Sequence, residues 1–227
     1  MGSSINTVTV PYHHTMTTPE VELGAAWRRV AGSGHQTALD HLLECHREPH
    51  RRYHTATHVM WVLRHVDAIV DTEPYDTLDV ESIRLAAMFH DIVYDPTSGD
   101  NEARSAALAT RAANDLGWDA ARSESVGRLV MATKTHHATR ADEAVLVDAD
   151  LAILGAAPHD YNAYVAGVRA EYAHVAPDAW RSGRRAVLDG FLILPSLFIT
   201  PYMRDRFEAR ARANMTAERA SLMSPGA

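Results

Sequence analysis

The sequence predicts an all-α, single-domain helical bundle of the kind that holds a site between helices. Two observations carry this fold class. Apolar residues recur at three- and four-residue spacing along most of the chain, as they do on one face of a helix. Between these stretches, Pro, Gly, Asp and Thr stand where helices start and stop. Convincing strand alternation is missing, and Val8-Thr9-Val10 is too short and too terminal to count.

Each helix has its own warrant. Thr18-Pro19-Glu20 reads as an N-cap, a first-position proline and an early acid, opening a helix over 19–30 that ends near Gly32 and Gly34. A second helix is expected over 37–46. The stretch 55–71 carries Val59, Val62, Leu63, Val66 and Ile69 on one stripe, and Glu73-Pro74 stops it. The stretch 79–90 is apolar almost all round through Ile83, Leu85, Ala86, Ala87 and Phe89, which marks a buried central helix. Turn residues make 95–100 a loop. An alanine-rich helix over 101–116 closes at Gly117, and one over 123–136 carries Val126, Leu129, Val130 and Thr133. The helix over 142–154 opens on Asp142-Glu143 and ends at Gly155, and helices over 159–173, 178–194 and 202–221 complete the set.

Residues 1–16, with His13 and His14, read as a flexible tail, and 17–227 as one domain whose site core spans about 53–155. Hydrophobic residues at 46% and charged residues at 22% fit an ordinary globular protein. The net charge of -7 argues against a nucleic-acid partner, while leaving room for a local basic pocket. No apolar run reaches the roughly 18 residues of a membrane span. The start lacks the basic and apolar regions of a secretory signal. Cys45, read as a small buried hydrophobe, is the only cysteine, so no intrachain disulfide forms; a reducing, cytoplasmic setting is expected.

Histidine and aspartate carry the chemistry. His90-Asp91 ends the apolar 83–89 run, where an unpaired charge would be costly unless a cation or hydrogen-bond network stands beside it. His54 and His58 lie four apart at a helix start, on one face. Asp148 and Asp150 lie two apart on a later helix and point to nearly opposite sides, so one of them faces the site; the residues around them leave open which. Three distant segments thus supply imidazole and carboxylate without thiolate. That set suits a divalent transition metal: manganese, iron, zinc, nickel or cobalt.

These residues resemble the HD superfamily of metal-dependent phosphohydrolases, and in particular its branch of small bacterial predicted HD phosphohydrolases. The matching stretches are Tyr53-His54-Thr55-Ala56-Thr57-His58, Phe89-His90-Asp91-Ile92-Val93-Tyr94-Asp95, Asp100-Asn101-Glu102-Ala103-Arg104-Ser105-Ala106 and Asp148-Ala149-Asp150-Leu151, running on to Gly155. A tail motif, Glu208-Ala209-Arg210-Ala211-Arg212-Ala213-Asn214, extends the likeness weakly. The resemblance implies His58, His90, Asp91 and, favoured over Asp148, Asp150 as metal ligands. It implies His54 as a general acid, by similarity to cyclic-nucleotide phosphodiesterases, and Asp95 as a catalytic acid, by similarity to alarmone hydrolases. Glu102 is the candidate for orienting water. Two-metal members carry a further histidine soon after the HD pair, and none occurs here between Asp91 and His136. That favours one protein-bound ion, with His136, His137 and Asp148 as candidates for a second ion or for substrate, and magnesium a candidate second ion.

The expected activity is metal-dependent hydrolysis of a phosphate ester or anhydride of a small molecule, a nucleotide first among them. Arg51, Arg52 and Arg104, nearest the motifs in sequence, are the expected phosphate contacts. The alternatives are a di-iron oxygenase on the same scaffold and a metal-containing nucleotide-binding regulatory module without turnover. The segment 178–185, with Trp180, Arg184 and Arg185, is either a pocket wall or an ordinary basic helix start. The sequence leaves the oligomeric state open, a homodimer being one candidate because symmetric dimers are the commonest soluble assembly.

Overall fold

A computed structural model of the chain describes residues 17–72, 75 and 77–223. The 1–16 tail and the Glu73-Pro74 stop lie outside the described residues. Within them the chain is one all-α domain of ten helices, with no strand. These are α1 Pro19–Ala31, α2 Gln36–Cys45, α3 Ala56–Thr72, α4 Val80–Phe89, α5 Asn101–Asp115, α6 Ala120–Thr133, α7 Ala141–Asp150, α8 Pro158–Glu171, α9 Pro177–Leu192 and α10 Pro201–Ser221. Among the described residues no helix is long and apolar enough to cross a membrane.

Helices α3, α4 and α7 form the centre. The α5–α6 hairpin packs on α4, α1 packs on α3 and α4, and α10 packs on the segment after α7. The sequence dictates which helix is innermost. In α4 the seven residues from Ser82 to Phe89 other than Arg84 are buried. Ile83, Leu85 and Met88 are wholly out of solvent, each a contribution of about 1.5–3 kcal/mol from apolar burial. Asp79 caps this helix by accepting the Ser82 N–H at 3.2 Å.

Two helix boundaries differ from the sequence expectation, and both matter to the site. α6 starts at Ala120 because Asp119 accepts the Arg122 N–H at 2.9 Å, one turn ahead of Ser123. It ends at Thr133, so His136 falls beyond it, in a left-handed conformation with φ 49°. α7 ends at Asp150, and Leu151–Gly155 tightens into a 3-10 turn. α10 imposes that change. Asn214 Nδ2 donates to the carbonyls of Leu154 at 2.9 Å and Ala156 at 3.0 Å, and Arg210 Nε donates to that of Gly155 at 2.5 Å. Carbonyls held this way are satisfied without further α-helical turns.

The tail motif is therefore a set of backbone clamps. Its first member, Glu208, accepts the N–H groups of Leu197 and Phe198 from the loop before α10. The segment 178–185 is structural too: Arg184 is buried and forks onto Glu218 at 2.7 and 3.0 Å, bolting α9 to α10.

Candidate metal centre

Helix ends build the site. His58 sits in the first turn of α3, His90 and Asp91 at the C-terminal end of α4, and Asp150 is the last residue of α7. Three helices that cross in the centre of the bundle thereby bring four side chains together from distant parts of the chain. His58 and His90 are buried, and the carboxylates of Asp91 and Asp150 remain partly open at 20% and 14% exposure.

The donor atoms converge. His58 Nε2 lies 3.0 Å from His90 Nε2, 3.4 Å from Asp91 Oδ2 and 3.2 Å from Asp150 Oδ1. His90 Nε2 lies 3.1 Å from Asp91 Oδ2 and 3.5 Å from Asp150 Oδ1. Bonds of about 2.0–2.2 Å to a shared ion place neighbouring donors roughly 3.0–3.5 Å apart, which is the spacing found. The second ring nitrogen of His90 supports the same fit. Its Nδ1 lies 2.8 Å from the Ala87 carbonyl, which can only accept, so Nδ1 carries the proton and Nε2 turns its lone pair inward. Two imidazole nitrogens facing each other among carboxylates require a proton or a cation between them. The buried His58, His90 and Asp150 group can hold a metal ion, and Asp91 stands within the same reach.

The same convergence shifts the ionisation of each group. Burial works against charging His58, yet the hydrogen bonds of Asp150 and Asp91 outweigh it and raise its pKa. Burial is outweighed at His90 too, where the charge of Asp91 and the Asp150 hydrogen bond raise the pKa well above its ordinary value. Burial would raise Asp91, but the His90 charge and the His58 hydrogen bond hold it well below the usual carboxylate range. Asp150 is held down against its burial first by His136, then by His58 and His90.

The other expected site residues divide sharply. His54, just before α3, brings its Nε2 to 4.0 Å from Asp91 Oδ2, beside the cluster. His136 Nε2 lies 3.2 Å from Asp150 Oδ2, so Asp150 faces His58 and His90 with one oxygen and His136 with the other. The backbone at His136 is left-handed, with φ 49°. Glu102 is half-buried at the start of α5 and is not among the converging donors. His137 is exposed and makes none of these contacts.

Several expectations need correction. Asp148 is wholly buried and accepts the N–H groups of Ile199 at 2.9 Å and Thr200 at 2.6 Å, so it ties the loop before α10 and faces away from the donor cluster. Arg51, expected at phosphate, is committed to the protein itself. Its buried guanidinium donates to the carbonyls of His54 at 3.1 Å, Asp91 at 2.7 Å and Ile92 at 2.9 Å, and to Glu48 at 2.9 Å. It staples the His54 segment to the end of α4 instead. Arg52 is exposed and folds back onto the carbonyls of Pro49 and Arg51. Arg104 and Asp95 line a separate cavity of about 520 Å³ with His41, Cys45 and His50, where Thr97 holds the Asp95 carboxylate at 2.7 and 2.8 Å.

Sequence reasoning assigned no role to Glu171, Tyr94 or Tyr53. Glu171 ends α8 and lies 2.8 Å from His54 Nδ1, across 117 residues of chain. Tyr94 stacks on His54 with ring centres 4.1 Å apart. Tyr53 packs on both His54 and His58. Tyr53 and Tyr94 stood inside the motif stretches; nothing in sequence ties Glu171 to His54. Set beside known proteins, the chain matches no protein-family model, no curated protein and no solved structure.

Proposed function

We propose that the chain is a metal-dependent phosphohydrolase, cleaving a phosphate ester or anhydride of a small molecule, with nucleotides the class to test first. The observation that carries this reading is the placing of His54 Nε2 4.0 Å from Asp91 Oδ2, at the edge of the four-donor cluster. A cluster that only held an ion needs no titratable ring turned toward its open side. The motif resemblance to HD phosphohydrolases supports the same reading.

His58, His90, Asp91 and Asp150 would hold the ion. When bound, a divalent ion supplies Lewis-acid chemistry, drawing charge from a phosphoryl oxygen and acidifying water. The chain's own residues do the rest. His54, protonated, donates from Nε2 to the leaving oxygen. Glu102 takes its proposed role, accepting a proton from water, from the motif resemblance alone. Arg51 fixes the His54 carbonyl relative to Asp91, so acid and ligand cluster move together.

His90→Ala and Asp91→Ala are expected to lose both bound metal and hydrolysis of phosphoesters. Full turnover by the metal-free double variant contradicts the reading. One observation favours a second reading: His136 beside the outer oxygen of Asp150 adds a donor in the direction of a two-ion site. Two irons per chain with oxygen consumption decides for the oxygenase.

A further inference from the structure

His54 is held by one buried carboxylate. The chain enters α3 through Arg52, Tyr53 and His54, whose N–H groups stand ahead of the helix without intrahelical partners. All three donate to Glu171 Oε1, at 2.7, 2.8 and 3.0 Å. Glu171 Oε2 takes the Tyr94 hydroxyl at 2.9 Å and faces His54 Nδ1 at 2.8 Å. The Glu171 side chain is itself fully out of solvent. Burial would raise its pKa, but the bond and charge of His54 and the N–H groups of Arg52 and Tyr53 outweigh it and bring the carboxyl to about 2.

An ionised carboxylate only accepts. His54 Nδ1 must therefore carry a proton, which leaves Nε2 as the nitrogen facing Asp91. Tyr94, stacked on the ring, stops it from turning. Gly167, one turn before Glu171, lies close against this segment: a Cβ there would stand 3.1 Å from Tyr53 Cβ, tighter than ordinary packing.

We propose that Glu171 is a positioning residue that keeps a proton on His54 Nδ1 and Nε2 turned to the metal centre, so that the protonated ring gives its proton to the leaving group from Nε2 and is left as the Nδ1–H tautomer. This rests on the reading of His54 as the acid of a phosphohydrolase. The closing experiment separates the two.

Glu171→Gln keeps size and an oxygen for the backbone N–H groups, but turns an amide N–H₂ toward Nδ1, which must then accept. The His54 ring nitrogens are read by ¹⁵N NMR in the full-length, zinc-loaded protein, with His54→Asn assigning the signals. Wild type is expected with the proton fixed on Nδ1 whether or not Nε2 also carries one, and Glu171→Gln as the Nε2–H form or a mixture. A wild-type spectrum of the Nε2–H form or of a mixture overturns the proposal. That spectrum needs no variant, so the test stands even if Glu171→Gln folds poorly.

Kinetics supply the second arm. Glu171→Gln should lower kcat on an alkyl phosphomonoester by about 10–100-fold with little change in KM. The loss on p-nitrophenyl phosphate, whose leaving group needs no proton, should be smaller by about 10-fold or more. Equal losses on both substrates mark a merely structural role and overturn the proposal. A wild-type chain without phosphoesterase activity overturns the phosphohydrolase reading instead, and the ring-nitrogen spectrum still decides for or against Glu171.

Discussion

At the scale of single residues, the decisive contrast is between two aspartates on one helix turn. Asp150 lies among imidazoles, with His58, His90 and His136 all within 3.5 Å of its oxygens. Asp148, two residues earlier, is spent on the N–H groups of Ile199 and Thr200. The two substitutions to Asn should therefore separate. Asp150→Asn is expected to lose metal with little loss of stability. Asp148→Asn should keep its metal and lose about 1–3 kcal/mol of stability, the cost of weakening buried hydrogen bonds. Metal content beside denaturant unfolding of both variants checks this. Loss of metal in Asp148→Asn alone would reverse the assignment. The sequence could show only that the two point apart on a helix. What chooses between them is the docking of the loop before α10 onto α7, a contact across 51 residues that leaves no local signature.

At the scale of elements, the site is made of helix ends, and ends are where sequence reading is weakest. The interiors of α3, α4 and α6 were plain from their apolar residues, because burying a helix face is a local and periodic demand. The stops were not. After α7 the chain tightens into a 3-10 turn whose closing carbonyls are held by Asn214 and Arg210 of α10, and α6 stops at Thr133, which leaves His136 outside it. Helix interiors carry a separate, testable cost. His65, on α3, is 4% exposed and packs on Trp61 and Phe207. Burial, aided by the charge of Arg64, lowers its pKa from 6.5 to about 4. The folded protein keeps His65 neutral where the unfolded chain takes up a proton. The sign follows: this contribution is fully present above pH 6.5 and is lost as pH falls toward about 4. Over that window it is worth up to about 3 kcal/mol. His65→Gln is expected to flatten the fall of unfolding free energy across it, measured by denaturant titration at several pH values. An unchanged slope would show that other groups set the acid sensitivity.

At the scale of the whole molecule, late helices complete what early motifs begin. The cluster comes from α3, α4 and α7; His58, His90 and Asp91 were legible as residue types at telling spacings, while Asp150 was favoured over Asp148 by the motif resemblance alone. The apparatus around it was not. Glu171 reaches His54 from the end of α8, and α10 shapes the end of α7 through backbone clamps. Arginines near the motifs in sequence proved distant in purpose, Arg51 serving as a staple between backbone carbonyls. Proximity along a chain is a poor guide to what a long, multidonor side chain satisfies once buried. The bundle thus joins one donor cluster to one oriented imidazole, and the central claim is that the two act together on a phosphate. The most direct measurement is hydrolysis of a panel of nucleotides and simple phosphoesters by the full chain, before and after chelation and again after adding back manganese or zinc. The account predicts turnover that disappears on chelation and returns when about one ion per chain is bound. Undiminished turnover by the metal-free protein, or none with the ion restored on any phosphoester, would contradict it.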